Sequence, residues 1–101
     1  MKKAKFRISE KAVEDLEKIW EYTYETWSKN QADRYYKLLI DEIDYISENP
    51  NSGRPMDHIK KGYRASIVKS HLIFFRLGDD DIVEIIRILH QMMDVECHLK
   101  D

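Results

Sequence analysis

The stretch from Ile82 to Asp94 opens as an apolar, β-branched run and closes on a polar cluster at its C-terminal end. Bounded by the turn signal Gly78-Asp79-Asp80-Asp81, it predicts a strand buried on both faces and central to a sheet, because a half-exposed strand alternates more strictly. Near the N-terminus, Ala4, Phe6 and Ile8 alternate with Lys3, Lys5 and Arg7, the period of a strand with one wet face. Ser9 is a good N-cap, and Ala12, Leu16, Ile19, Trp20, Thr23 and Trp27 recur at helical spacing, which predicts a helix from Glu10 to Trp27. Ser28-Lys29-Asn30 interrupts it. Asn30 followed by Asp33 resembles a new helix start, and Ala32, Tyr35, Leu39, Ile43 and Ile46 carry a second stripe to Glu48. Two stripes joined by so short a loop describe an antiparallel helical hairpin that needs a sheet to cover it.

The segment from Asn49 to Pro55 holds both prolines and reads as a loop. Tyr63 to Val68 and Leu72 to Leu77 then read as strands about a Lys69-Ser70-His71 turn, and Gly78 to Asp81 returns the chain to the final strand. The class is α+β: strand, helical hairpin and three antiparallel strands, with helices packed on a mainly antiparallel sheet. The 101 residues suit a single domain spanning 1–101, large enough for one core without disulfides or metals.

A hydrophobic fraction of 43% argues against disorder, and 36% charged residues argue for a well-solvated surface. No apolar run approaches the ~20 residues that span a bilayer, and no apolar region follows the N-terminal lysines, so no membrane association is expected. The single Cys97 cannot form an internal disulfide, which fits a reducing, cytoplasmic setting.

The net charge of −2 hides a segregation. Residues 1–8 carry +4, residues 9–49 carry −6, residues 50–77 carry +5 and residues 78–101 carry −5. This excludes the broad positive field of a general nucleic-acid binder, so no sequence-specific DNA binding is expected. It leaves a local patch from Arg54, Lys60, Lys61, Arg64, Lys69 and Arg76 that suits an acidic partner, or that serves only as solvated loop and edge charge.

Few constellations carry chemistry. His90, Asp94 and His98 fall at i, i+4 and i+8 beside Cys97, but a metal there would lack orienting neighbours, and no metal or other cofactor is expected. Arg54, Arg64 and Arg87 with His90 or Tyr63 are the residue types that metal-free RNA cleavage requires, a cation for the phosphate and an acid or base beside it. They also serve as structural hydrogen-bonders in strands, and no carboxylate–histidine pairing compels catalysis. Trp20, Tyr24, Trp27, Tyr35 and Tyr36 offer an aromatic surface, although aromatics at helical spacing more often pack than stack on ligands. His58 and His71 read as loop histidines.

The chain resembles a ParE-type toxin of the RelE/ParE superfamily of bacterial toxin–antitoxin systems over almost its whole length. The matching elements are Ser9-Glu10-Lys11-Ala12 with Asp15-Leu16 and Ile19; Gln31-Ala32 and Tyr35; Asn49-Pro50 with Gly53-Arg54; Gly62-Tyr63-Arg64; His71 to Arg76; and Ile86-Arg87-Ile88-Leu89-His90 with Met93-Asp94.

That resemblance implies a RelE/ParE-like fold and a cytoplasmic, growth-inhibiting toxin, of the kind linked to plasmid stabilisation. It would act on DNA gyrase by binding, trapping a DNA-cleaved state, and so would more plausibly be an inhibitor than an enzyme. The implied partner is a ParD-like antitoxin whose C-terminal part wraps the toxin, with Arg54, Arg64 and Arg76 meeting acidic groups and Trp20, Tyr24 and Trp27 bordering its groove. The RelE branch uses the same fold as a ribosome-dependent mRNA interferase, for which Arg64, Arg87 and His90 would be the catalytic set. Against it stand the acidic end of the last strand and the negative total charge. An inactive toxin homologue kept as a binding module is a third reading. Arg87, His90 and Asp94 form a possible functional cluster under any of them.

Overall fold

A computed structural model describes residues 6–93, 98 and 99. Its elements run β1 (Phe6–Ile8), α1 (Glu10–Thr26), α2 (Lys29–Glu48), β2 (Arg54–Pro55), β3 (Arg64–Val68), β4 (His71–Leu77) and β5 (Val83–His90). The order strand, helical hairpin, antiparallel strands is the one that periodicity predicts. The alternation at Ala4 and Lys5, and Asp94 and Cys97 at the other end, lie outside the described residues.

The strands form one mixed sheet in the order β1-β5-β4-β3-β2. β1 runs parallel to β5, with Phe6 opposite Val83 and Ile8 opposite Ile85, and the remaining pairs are antiparallel. The strand at the middle of the sheet is therefore β4, while β5 is interior but second from the edge. It is nonetheless buried on both faces: Val83, Ile85 and Ile88 join the core under the helices, and Leu89 joins a second core on the opposite face. Ala12, Leu16, Leu39, Ile43, Ile46, Ile73 and Phe75 complete the first core. Met56, Tyr63, Ala65, Phe74 and Leu99 build the second.

Several boundaries differ from expectation for local reasons. α1 ends at Thr26, with Trp27 as its C-cap donating its N–H to the Thr23 carbonyl. The second helix is capped by Ser28, not Asn30, and starts at Lys29, because the Ser28 hydroxyl accepts the Gln31 N–H at 3.1 Å and so satisfies a free donor of the first turn. The Asn49–Pro55 segment contains the two-residue β2, where Pro55 is tolerated because the strand lies at the sheet edge. β4 begins at His71, so the turn shortens to Lys69-Ser70, with Lys69 at φ +55°. β5 stops at His90, short of Asp94.

Candidate functional site beneath the turn of the helical hairpin

β1 covers the edge of β5 only as far as Ile85, and a register shift beyond that point makes Ile86 an extra residue, with Phe74 opposite Arg87 and Phe75 opposite Ile85. An uncovered edge inside a fold leaves backbone groups that need partners. α1 supplies them: the Ser9 hydroxyl donates to the Ile86 carbonyl at 2.7 Å, and the Asp15 carboxylate accepts the Ile88 N–H at 3.0 Å. Asp15 also accepts from Arg87 Nε at 2.8 Å and Nη2 at 3.0 Å. This fork, with little solvent contact on either side chain, pushes the Arg87 guanidinium above its ordinary range, chiefly through the Asp15 hydrogen bonds. Arg87 is thus a structural cation, committed to holding α1 on the sheet.

Beside this pair, the turn end of the hairpin, where α1 passes into α2, overhangs the β3–β4 turn and borders a groove of about 580 Å³. Ile19, Tyr22, Thr23 and Trp27 of α1, Gln31 and Tyr35, and Ile88 and Met93 supply most of its walls. Across its floor runs a row of three polar rings. Tyr35 Oη lies 2.6 Å from His71 Nδ1 and donates within 3.1 Å of the Val68 carbonyl. His71 and His90 are directly opposed on β4 and β5, with ring centroids 5.2 Å apart and edge to face. Burial first, and His90 second, push His71 down to about 4, so its imidazole is neutral at pH 7. Burial likewise raises the Tyr35 phenol. His90 Nδ1 accepts the Met92 N–H at 3.0 Å, so the N–H of its ring is at Nε2.

The remaining candidates do not converge on one place. Trp20 and Tyr24 stack at 5.2 Å and 7°, and Trp20 Nε1 donates to Asp33 at 2.9 Å, so they pack on the α2 flank outside the groove. Trp27, 71% exposed, stands on the groove rim. Arg54 is opposite Ala65 and Arg76 is two residues from Phe74, which puts both on the sheet face away from the helices. Arg64, opposite Phe75, belongs to the helix-facing side and donates to the Gly53 carbonyl at 3.1 Å. Arg76 Nε is 2.8 Å from Glu84 Oε1 in an ion pair that is not aligned as a hydrogen bond, and Glu84 also meets Arg7 at 2.7 Å.

Arg64, Arg87 and His90 do not form a common centre. Arg64 sits level with Phe75 and His90 level with His71, four residues apart along β4, or about 13 Å of strand. Among the described residues no group of three or more His, Cys, Asp and Glu could hold a metal ion.

Sequence reasoning missed Asp15, Tyr35 and His71 as members of the site. His71, far from being a loop histidine, is the first residue of β4. The signal available was the short turn, which places His71 and His90 on one face once the strand register is known.

A two-helix hairpin packed on a mixed five-stranded sheet defines a RelE/ParE-like α+β protein. A family model described as the ParE toxin of the type II toxin-antitoxin system, parDE, matches residues 6–95, and the chain belongs to that family. It is 38% identical over 96 residues to Toxin ParE1 of Mycobacterium tuberculosis strain H37Rv, covering 95% of this chain and 98% of the relative. It is 40% identical over 94 residues to Toxin ParE1 of Caulobacter vibrioides, covering 93% and 96%. The fold superposes with a TM-score of 0.73 on a chain from the solved chromosomal ParDE TA system of P. aeruginosa, at 18% identity, covering 87% of this chain and 98% of that one.

Proposed function

We propose that this chain is the toxin of a type II toxin–antitoxin pair that poisons DNA gyrase by binding and is neutralised by a ParD-like antitoxin in the cytoplasm. Family membership and the ParE1 names of its relatives support the class, and its structural neighbour, a chain of a ParDE system, supports a ParD-type partner. The observation that carries binding over RNA cleavage is the commitment of Arg87 to Asp15, together with the separation of Arg64 from His90. On β5 itself the cation nearest His90, Arg87, is already held by Asp15 and is not offered to an RNA phosphate. An antitoxin that wraps the toxin can reach the groove rim at Trp27, the Trp20–Tyr24 flank and the arginines of both sheet faces, which explains why these candidates need not share one surface.

The test is a cleavage assay with purified gyrase, ATP and supercoiled plasmid. Linear DNA accumulating after detergent and protease is the expected outcome, and its suppression by the antitoxin tests the partner. Inhibited supercoiling without breaks keeps the target and changes the mechanism. An inert gyrase reaction with mRNA cleavage in a translation extract would overturn the reading in favour of the interferase.

A further inference from the structure

The charged groups of the hairpin groove are one-sided. Facing the His71–His90 pair are Asp15 and Lys18 from α1, Tyr35 from α2, Lys69 from the β3–β4 turn, and Arg87 from β5 itself. The only carboxylate among them, Asp15, already accepts two N–H groups of Arg87 and the N–H of Ile88. What the groove offers an incoming segment is therefore two lysines, the Nε2–H of His90, the neutral polar groups of Tyr22, Gln31 and Ser70, and apolar walls, with no free anion among its described residues. A buried donor left without an acceptor is costly, so an occupant that excludes water here must supply one.

We propose that the partner segment filling this groove sets a carboxylate against the His71–His90 pair, so that its binding takes up a proton from solvent. The inference rests on the partner reading above and adds the chemistry of one contact to it. The free groove keeps His71 neutral because burial disfavours the imidazolium and no anion compensates it. A carboxylate at the pair reverses that balance. The protonated ring fits without rearrangement: His71 Nδ1–H donates to Tyr35 Oη, and the Tyr35 hydroxyl donates to the Val68 carbonyl, along the two contacts that already exist. The sign of the linkage distinguishes occupants. An acidic segment binds more tightly as pH falls, whereas a purely apolar or basic one binds less tightly.

Calorimetry of the full chain with its cognate ParD-type antitoxin, at pH 6.5 in two buffers of different ionisation enthalpy, measures the proton directly. The expected result is net uptake approaching one proton, with affinity rising about threefold to tenfold between pH 7.5 and 6.0. The His71→Asn and His90→Gln pair of changes abolishes the uptake. NMR titration of the two histidines in the unaltered protein, free and in the complex, is the measurement that does not depend on those variants folding, and both histidines together are expected to hold more proton in the complex. Proton release, or binding with no buffer dependence, overturns the inference alone. Absence of any binding overturns the partner reading and this inference with it, and leaves the gyrase assay as the independent test of the target.

Discussion

Arg87 and Asp15 meet through a two-pronged ion pair, 2.8 and 3.0 Å, at the stretch of β5 that β1 leaves uncovered. Because Asp15 also accepts the Ile88 N–H, it performs two separable tasks. Asp15→Asn retains an acceptor but not the charge and is expected to cost about 2 kcal/mol, whereas Asp15→Leu loses both and costs about 3–4 kcal/mol. Urea denaturation of the two variants checks the order. Equal costs would mean that the Ile88 contact contributes nothing.

Stability is expected to fall in mild acid on account of His71. Its folded-state value, about 4, lies below the unfolded histidine value of 6.5, so between these limits the unfolded chain binds the extra proton. The folded state consequently loses stability as pH drops from about 6.5 towards 4. With the ring in partial contact with solvent, the loss is about 1–2 kcal/mol rather than the full difference. His71→Phe should flatten this part of the pH profile in thermal melts, and an unchanged profile would assign the loss to other groups.

Two glycines with positive φ should respond differently to alanine. At Gly53, φ +81°, an added Cβ would lie 2.7 Å from the Ala65 carbonyl oxygen and 3.2 Å from the Phe75 ring. Gly62, φ +85°, has open space around it. Gly62→Ala is expected to cost about 1 kcal/mol from backbone strain alone, and Gly53→Ala at least about 2 kcal/mol, since β2 must shift from β3. Equal melting temperatures for the two variants would contradict this.

Trp27 should matter for binding and not for folding. At 71% exposure it contributes little to the core, so Trp27→Ala is expected to leave stability within about 0.5 kcal/mol. Antitoxin affinity should fall by about tenfold or more, as for an aromatic at the centre of an interface. Retained affinity would move the partner off the groove rim.

The helical stripes of Ala12, Leu16 and Ile19 and of Leu39, Ile43 and Ile46 were legible in the sequence because each face is set by residues three and four apart. So was the two-sided burial of β5, since Ile85-Ile86 and Ile88-Leu89 set apolar side chains at successive positions, one on each face. β2 was not legible: two exposed residues beside a proline carry no periodic signal. Of the site, His90 and Arg87 stood out by type, but their roles did not. Arg87 looks the same in sequence whether it meets a phosphate or a carboxylate 72 positions earlier.

What the sequence determined by itself is therefore every element but β2, and their order, since hydrophobic period, caps and turn residues act over a few positions. The tertiary structure decided the parallel pairing of β1 with β5, the middle place of β4, the bulge at Ile86 and the Tyr35–His71–His90 row. Each of these depends on register between strands or on a helix laid against an open edge. Such contacts join residues far apart in the chain, and no local preference encodes them.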